Sequence, residues 1–174
     1  MPVIRNGACE VGYEFSRGRI VVGDGSVTGP ERIFRVVESD QRSVQLAGID
    51  LSKIHFERAC QPGFQSPRGE DALKKIKANN LIRLDAEVFL AIFRKWELLD
   101  NREEEFPLLR NLWDYQDESN LVCLHFDGTI YGCQLQNGRR FSSMMYFQSG
   151  QWYKGFDPLD HHRSHATFSV LYAQ

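Results

Sequence analysis

Long apolar runs are missing from this sequence. The longest, Val88-Phe89-Leu90-Ala91-Ile92-Phe93, has six residues and lies between Glu87 and Arg94. A membrane-spanning helix needs about 20, so no span is expected. Met1–Asn6 shows no basic stretch followed by an apolar one, and no secretory leader is expected. The four cysteines, Cys9, Cys60, Cys123 and Cys133, form no C-x-x-C pair and no zinc-type spacing with histidine. Reduced thiols and a cytoplasmic location are the expectation. Charge of one sign is also lacking. With 21 Lys+Arg against 23 Asp+Glu, the net charge of -2 gives no global pull toward nucleic acid or a membrane surface.

The short signatures of known chemistry are absent as well. The chain contains no G-x-x-x-x-G-K-[ST], G-x-G-x-x-G, G-x-S-x-G, H-E-x-x-H or EF-hand loop. The usual sequence handles for a nucleotide, a hydrolase nucleophile, zinc or calcium are therefore missing.

A hydrophobic fraction of 42% excludes a disordered chain. At 174 residues, folding buries roughly 70% of the unfolded surface, enough for a core without staples. One α+β domain over residues 1–174 is expected. It would have short N-terminal strands, a central segment of two or three helices, and a C-terminal antiparallel β-meander able to curl into a partial barrel.

Alternation of apolar and polar residues predicts strands at 8–15, 19–23, 33–37 and 44–46. Asp24-Gly25 reads as a hairpin turn, and Ser39-Asp40-Gln41 as a connection. Residues 59–69, with Pro62-Gly63 and Ser66-Pro67, read as a loop. A helix is expected from Glu70 to about Ala78, its acidic start favoured by the helix dipole. A second follows Asp85 as N-cap, with Val88, Phe89, Ile92, Trp96 and Leu99 at helical spacing. A short third helix is expected around Leu108–Trp113.

Asp127-Gly128, Asn137-Gly138 and Ser149-Gly150 each read as a tight turn. They divide the last third into strands at 121–126, 129–136, 139–148 and 151–156, with a further strand at 166–173. Counting from two-residue turns sets Val122 opposite Cys133, Gln134 opposite Phe141, Ile130 opposite Met145 and Phe147 opposite Trp152. The segment Asp24–Gly29 echoes Asp127–Gly132 as D-G-[ST]-[VI]-x-G. The flanks do not match, so the echo reads as repeated turn chemistry.

Two places could carry function. In the counted register, His125, Gln134, Phe141, Met145 and Trp152 share a face, apolar with a few polar handles, as ligand pockets are. A second core layer would look the same. The other place is Asp160, His161, His162 and His165, four potential metal ligands within six residues. A polar surface loop is the simpler reading, and Arg163 in its midst opposes a bound cation. Charge is also segregated. Residues 52–83 hold seven Lys/Arg against three Asp/Glu, and residues 97–118 hold eight Asp/Glu against two Lys/Arg. Solvated helix faces or a dipolar docking surface would both look like this.

The leading expectation is a non-enzymatic binding protein that engages another protein or a small ligand through the aromatic-rich meander. The alternative is a small metal-dependent or acid–base enzyme centred on the histidine loop. No specific cofactor is implied, and nucleic acid is disfavoured because no RNP-type pattern accompanies the aromatics.

Overall fold

A computed structural model describes residues 2–4, 19–22, 32–97, 112, 121–148 and 151–173. The expected strand at 8–15, the Asp24-Gly25 turn, the acidic segment beyond Glu97, the Ser149-Gly150 turn and the short helix near Leu108–Trp113 (apart from Leu112) lie outside these residues.

The strands in order are β1 (Pro2–Ile4), β2 (Arg19–Val22), β3 (Arg32–Ser39), β4 (Gly48–Asp50), β5 (Ile54–Arg58), β6 (Ile82–Arg83), β7 (Val122–Cys133), β8 (Arg139–Gln148), β9 (Gln151–Pro158) and β10 (Thr167–Tyr172). Helices α1 (Gln41–Val44), α2 (Gly69–Lys77) and α3 (Ala86–Glu97) lie between them. The protein is mixed α/β, richer in strand than helix, and its main sheet is open rather than closed into a barrel.

Helix α3 starts where its sequence indicates. Asp85 Oδ1 accepts from the backbone N–H groups of Glu87 and Val88, at 3.1 Å each, and caps the helix. Its apolar face, Val88, Phe89, Ile92 and Phe93, packs on Val122, Leu124, Phe126, Met145, Phe147 and Trp152. Helix α2 covers the opposite face of the sheet, where Leu73 and Ile76 meet Ile130, Leu159 and Leu171. Both faces are apolar because each has its own helix. The strand expected at 44–46 does not form; residues 41–44 are helix α1, and the chain turns at 45–46. Asp40 caps that helix by accepting from the Arg42 N–H at 3.2 Å.

The meander differs from the expected one in three ways. First, Asp127-Gly128 is no hairpin. Strand β7 runs straight through it and bulges: Phe126 pairs with Ser143 and Ile130 with Ser142, so residues 127–129 have no partner on β8. Second, the β7–β8 connection is longer than two residues. A turn of 3-10 helix at Gln134–Gln136 precedes Asn137 and Gly138, both at positive φ, and Cys133 pairs with Arg139. Val122 therefore opposes Phe147, not Cys133, and Tyr131 opposes Phe141. The expected pairing of Phe147 with Trp152 is found. Third, β10 does not extend the meander. It pairs in parallel with β7 (Thr167 with Cys123, Ser169 with His125) and antiparallel with β5.

The bulge is a crossing point. On one edge of β7, residues 123–125 pair with β10 and residues 129–133 pair with β3. Between those two stretches the β6–α3 link passes hard against the strand. Gly128 donates its N–H to the Leu84 carbonyl (2.9 Å) and accepts from the Asp40 N–H (2.7 Å). A Cβ on Gly128 would lie 2.2 Å from the Arg83 carbonyl oxygen and 2.6 Å from the Leu84 carbonyl carbon. The glycine is required by close approach of backbone, not by a turn.

Among the described cysteines, Cys60 and Cys133 are free thiols. No helix among the described residues is long and apolar enough to cross a membrane.

Candidate functional site

The residues expected to share a ligand-lining face divide among four places. Met145 and Trp152 belong to the main core under α3. Phe141 lies in a second cluster with Phe34, Tyr131 and Cys133, edge-on to Phe34 at 5.1 Å. Gln134 is exposed in the β7–β8 connection, where its amide oxygen, once the amide is turned, accepts from Arg35. His125 alone looks to the other side of the sheet. The shifted register accounts for this, because a slip of one residue exchanges the faces of a strand.

His125 belongs to a buried polar network instead. The segment 159–166 lays Arg163 over the sheet, 2% exposed. Arg163 donates from Nη1 to Asp127 Oδ2 (3.1 Å), and from Nη2 to Asp127 Oδ1 (2.9 Å) and to Ser142 Oγ (3.0 Å). Ser169 donates to Asp127 Oδ2 at 2.7 Å. Ser142 Oγ lies 3.0 Å from His125 Nδ1. Since the guanidinium can only donate, Ser142 accepts from it. His125 Nε2 faces Asp157 Oδ2 at 3.8 Å, too far for a hydrogen bond.

Electrostatics follow from burial. Desolvation, aided by the Arg163 charge, pushes the His125 imidazole down to about 3, so it is neutral near pH 7. Burial alone would raise the Asp127 carboxyl, but the charge and hydrogen bonds of Arg163 hold it well below the usual range. Asp157 is pushed upward, because burial outweighs what Arg163 and His161 return. Its Oδ2 reaches Arg163 Nε only at 4.0 Å, and that Nε is buried without a hydrogen-bond partner.

Of the four potential metal ligands of the histidine loop, Asp160 and His161 share Arg139 and His162 turns to the backbone. Asp160 accepts two close bonds from Arg139, at 2.8 and 2.9 Å. His161 Nε2 lies 3.0 Å from Arg139 Nη2, and its Nδ1 lies 3.3 Å from Asp157 Oδ1. His162 Nδ1 donates to the Ser66 carbonyl at 2.7 Å. His165 is half-buried further along. Among the described residues, no group of three or more His, Cys, Asp or Glu side chains is gathered to hold a metal. The loop is fastened to residues 66–69 by the His162 bond, by Arg163 N–H to the Pro67 carbonyl, and by Gly69 N–H to the His161 carbonyl.

Several charges of the 52–83 segment are matched within the fold. Lys75 meets Glu57 at 2.6 Å, while Lys77 and Arg83 both meet Glu38, at 2.8 and 2.9 Å. Arg140 joins Glu38 to Glu70.

One part of the meander stays accessible, and its residues escaped the sequence reading. On the α2 side of the sheet the rows run Cys123–Tyr146–Tyr153, then His125–Met144–Gly155, then Ser142–Asp157. Segment 159–166 and α2 cover one end of this face. At the other end the rings of Tyr146 and Tyr153 stack at 5.2 Å, and Tyr153 is 39% exposed. Gly155 leaves a methyl-sized recess beside Met144 and Tyr146. A Cβ there would meet Met144 Cε at 3.5 Å and Tyr146 Cε1 at 3.6 Å, ordinary van der Waals contact. Unlike Gly128, Gly155 is not required by its neighbours. A Gly with aromatic residues across the β8–β9 ladder was the signal in the sequence; the register of these two strands was counted correctly, but the opposite face was taken as the candidate.

No protein-family model, no curated protein and no solved structure matches this chain.

Proposed function

We propose that the protein is a non-enzymatic binding protein that takes a small, flat, aromatic ligand on the open end of its meander. The Gly155 recess beside the stacked Tyr146 and Tyr153 carries this reading. A soft methionine thioether and two phenol rings at the edge of an unfilled dimple suit an aromatic ring. A small molecule is favoured over a protein because the recess is one side chain deep and is bounded by the fastened loop at one end.

The sequence supplies its own probe. Met144 borders the recess and Met145 lies in the opposite core, so methyl-labelled methionine reports on both. Titration with indole should move the Met144 methyl resonance saturably and leave Met145 almost still. Gly155→Ala fills the recess without a clash, so it should weaken indole at least about tenfold while changing stability by less than about 1 kcal/mol. A Met144 signal that ignores millimolar indole would overturn the reading.

A further inference from the structure

We infer that the ligand carries a positive charge on a short arm, as an aromatic amine does; this rests on the reading of the Gly155 recess above. Along β9, Asp157 follows Gly155 on the same face, two residues on and so about 7 Å away. The charges around it can be matched in turn. Asp127 holds Arg163 in a two-pronged pair, and Asp160 holds Arg139. His125 is buried and neutral. Arg139 Nη2 has only hydrogens to offer His161 Nε2, so that nitrogen accepts and the hydrogen of His161 is on Nδ1, toward Asp157. Among the described residues this leaves Asp157 as the one carboxylate of the cluster without a cation of its own, with Arg163 Nε at 4.0 Å as the nearest. Its side chain keeps 16% of its surface open. A ligand ammonium reaching from a ring at Gly155 would supply the missing charge at a partly desolvated carboxylate, where Coulomb attraction exceeds that at a fully wet one.

Three probes that share a ring and differ in charge separate the cases: tryptamine, indole and indole-3-acetate, each followed through the Met144 methyl. Tryptamine should bind about fivefold or more tighter than indole, and indole-3-acetate weaker than either. Raised salt should shrink the gap between tryptamine and indole in the unaltered protein, because screening weakens the charged contact alone. Asp157→Asn should bring tryptamine to the affinity of indole while leaving indole unchanged. Equal binding of all three probes, or a tryptamine preference that survives both salt and Asp157→Asn, would overturn the inference and leave the binding reading standing. Failure of all three to bind would remove both. A Met144 shift that follows protein concentration without any probe would show a second copy of the chain on this face, and would also overturn the inference.

Discussion

Gly128 and Gly155 show how differently the same residue can be used. At Gly128 two backbones meet with no room for a methyl group, because the atoms in the way are the Arg83 carbonyl and the peptide that follows it. Neither can rotate aside as a side chain would. Gly128→Ala should therefore push β7 away from the β6–α3 link and strain the bonds to Leu84 and Asp40. The expected loss is about 3 kcal/mol, toward the upper range for single changes, read as a lowered urea midpoint. A variant as stable as the parent would show that the two segments do not touch. The dipeptide Asp-Gly looks alike in a tight turn and in a strand crossed by backbone. The sequence therefore marked this place as special and misread why.

At the scale of elements, the two longer helices and several strands could be read locally, while the strand expected at 44–46 could not. Helices α2 and α3 have apolar faces at helical spacing and signals at their ends, all within a dozen residues. Strands β3, β8, β9 and β10 also lie close to their expected positions. What failed were features set by distant partners. The β7 bulge depends on Leu84 and Asp40, 44 and 88 positions before Gly128. The five-residue connection before Arg139 shifted the register of the meander, and with it the face to which Met145 and Trp152 belong. The candidate site followed the register: His125 was singled out correctly as unusual but given the wrong neighbours. Nothing in the spacing of residues 159–166 announces that Arg163, rather than a histidine, is the anchor of that segment. Its role can be tested. Arg163→Met should strand Asp127 in the core without its counter-charge and cost about 3–5 kcal/mol. Arg163→Met combined with Asp127→Asn should recover part of that loss, since an amide is cheaper to bury than a lone carboxylate. Thermal unfolding of the three proteins checks the order; a double variant no better than the single one would mean that the pair is not the anchor.

For the molecule as a whole, the buried network makes stability depend on acidity. His125 has a folded-state pKa of about 3, below its ordinary value near 6.5. As pH falls through 6.5, the unfolded chain accepts a proton that the folded one refuses, so stability present above that point is progressively lost. Between pH 6.5 and 5 this amounts to about 2 kcal/mol. Asp127, held low by Arg163, adds a loss in the same direction at lower pH. Asp157, pushed up, acts oppositely there and returns part of it. Urea unfolding at a series of pH values should show the loss, and His125→Gln should flatten the His125 share of the slope. Imidazole resonances of His125 that titrate near pH 6 would contradict the burial assigned to it.

The order of strands across the main sheet, β2-β3-β7-β10-β5, has a meaning for how the chain can be divided. Strands up to β6 precede α3 in the chain and strands from β7 onward follow it, yet the two sets interleave: β7 and β10, from the later part, lie side by side between β3 and β5, from the earlier part. Cutting the peptide between α3 and β7 would therefore separate the covalent halves without dividing the fold. Among the described residues β5 and β6, from the earlier half, are held laterally by β10 of the later half alone. Any rearrangement of this protein that respects its architecture, by fusion, insertion or exchange with another chain, has to treat the two halves as one inheritance.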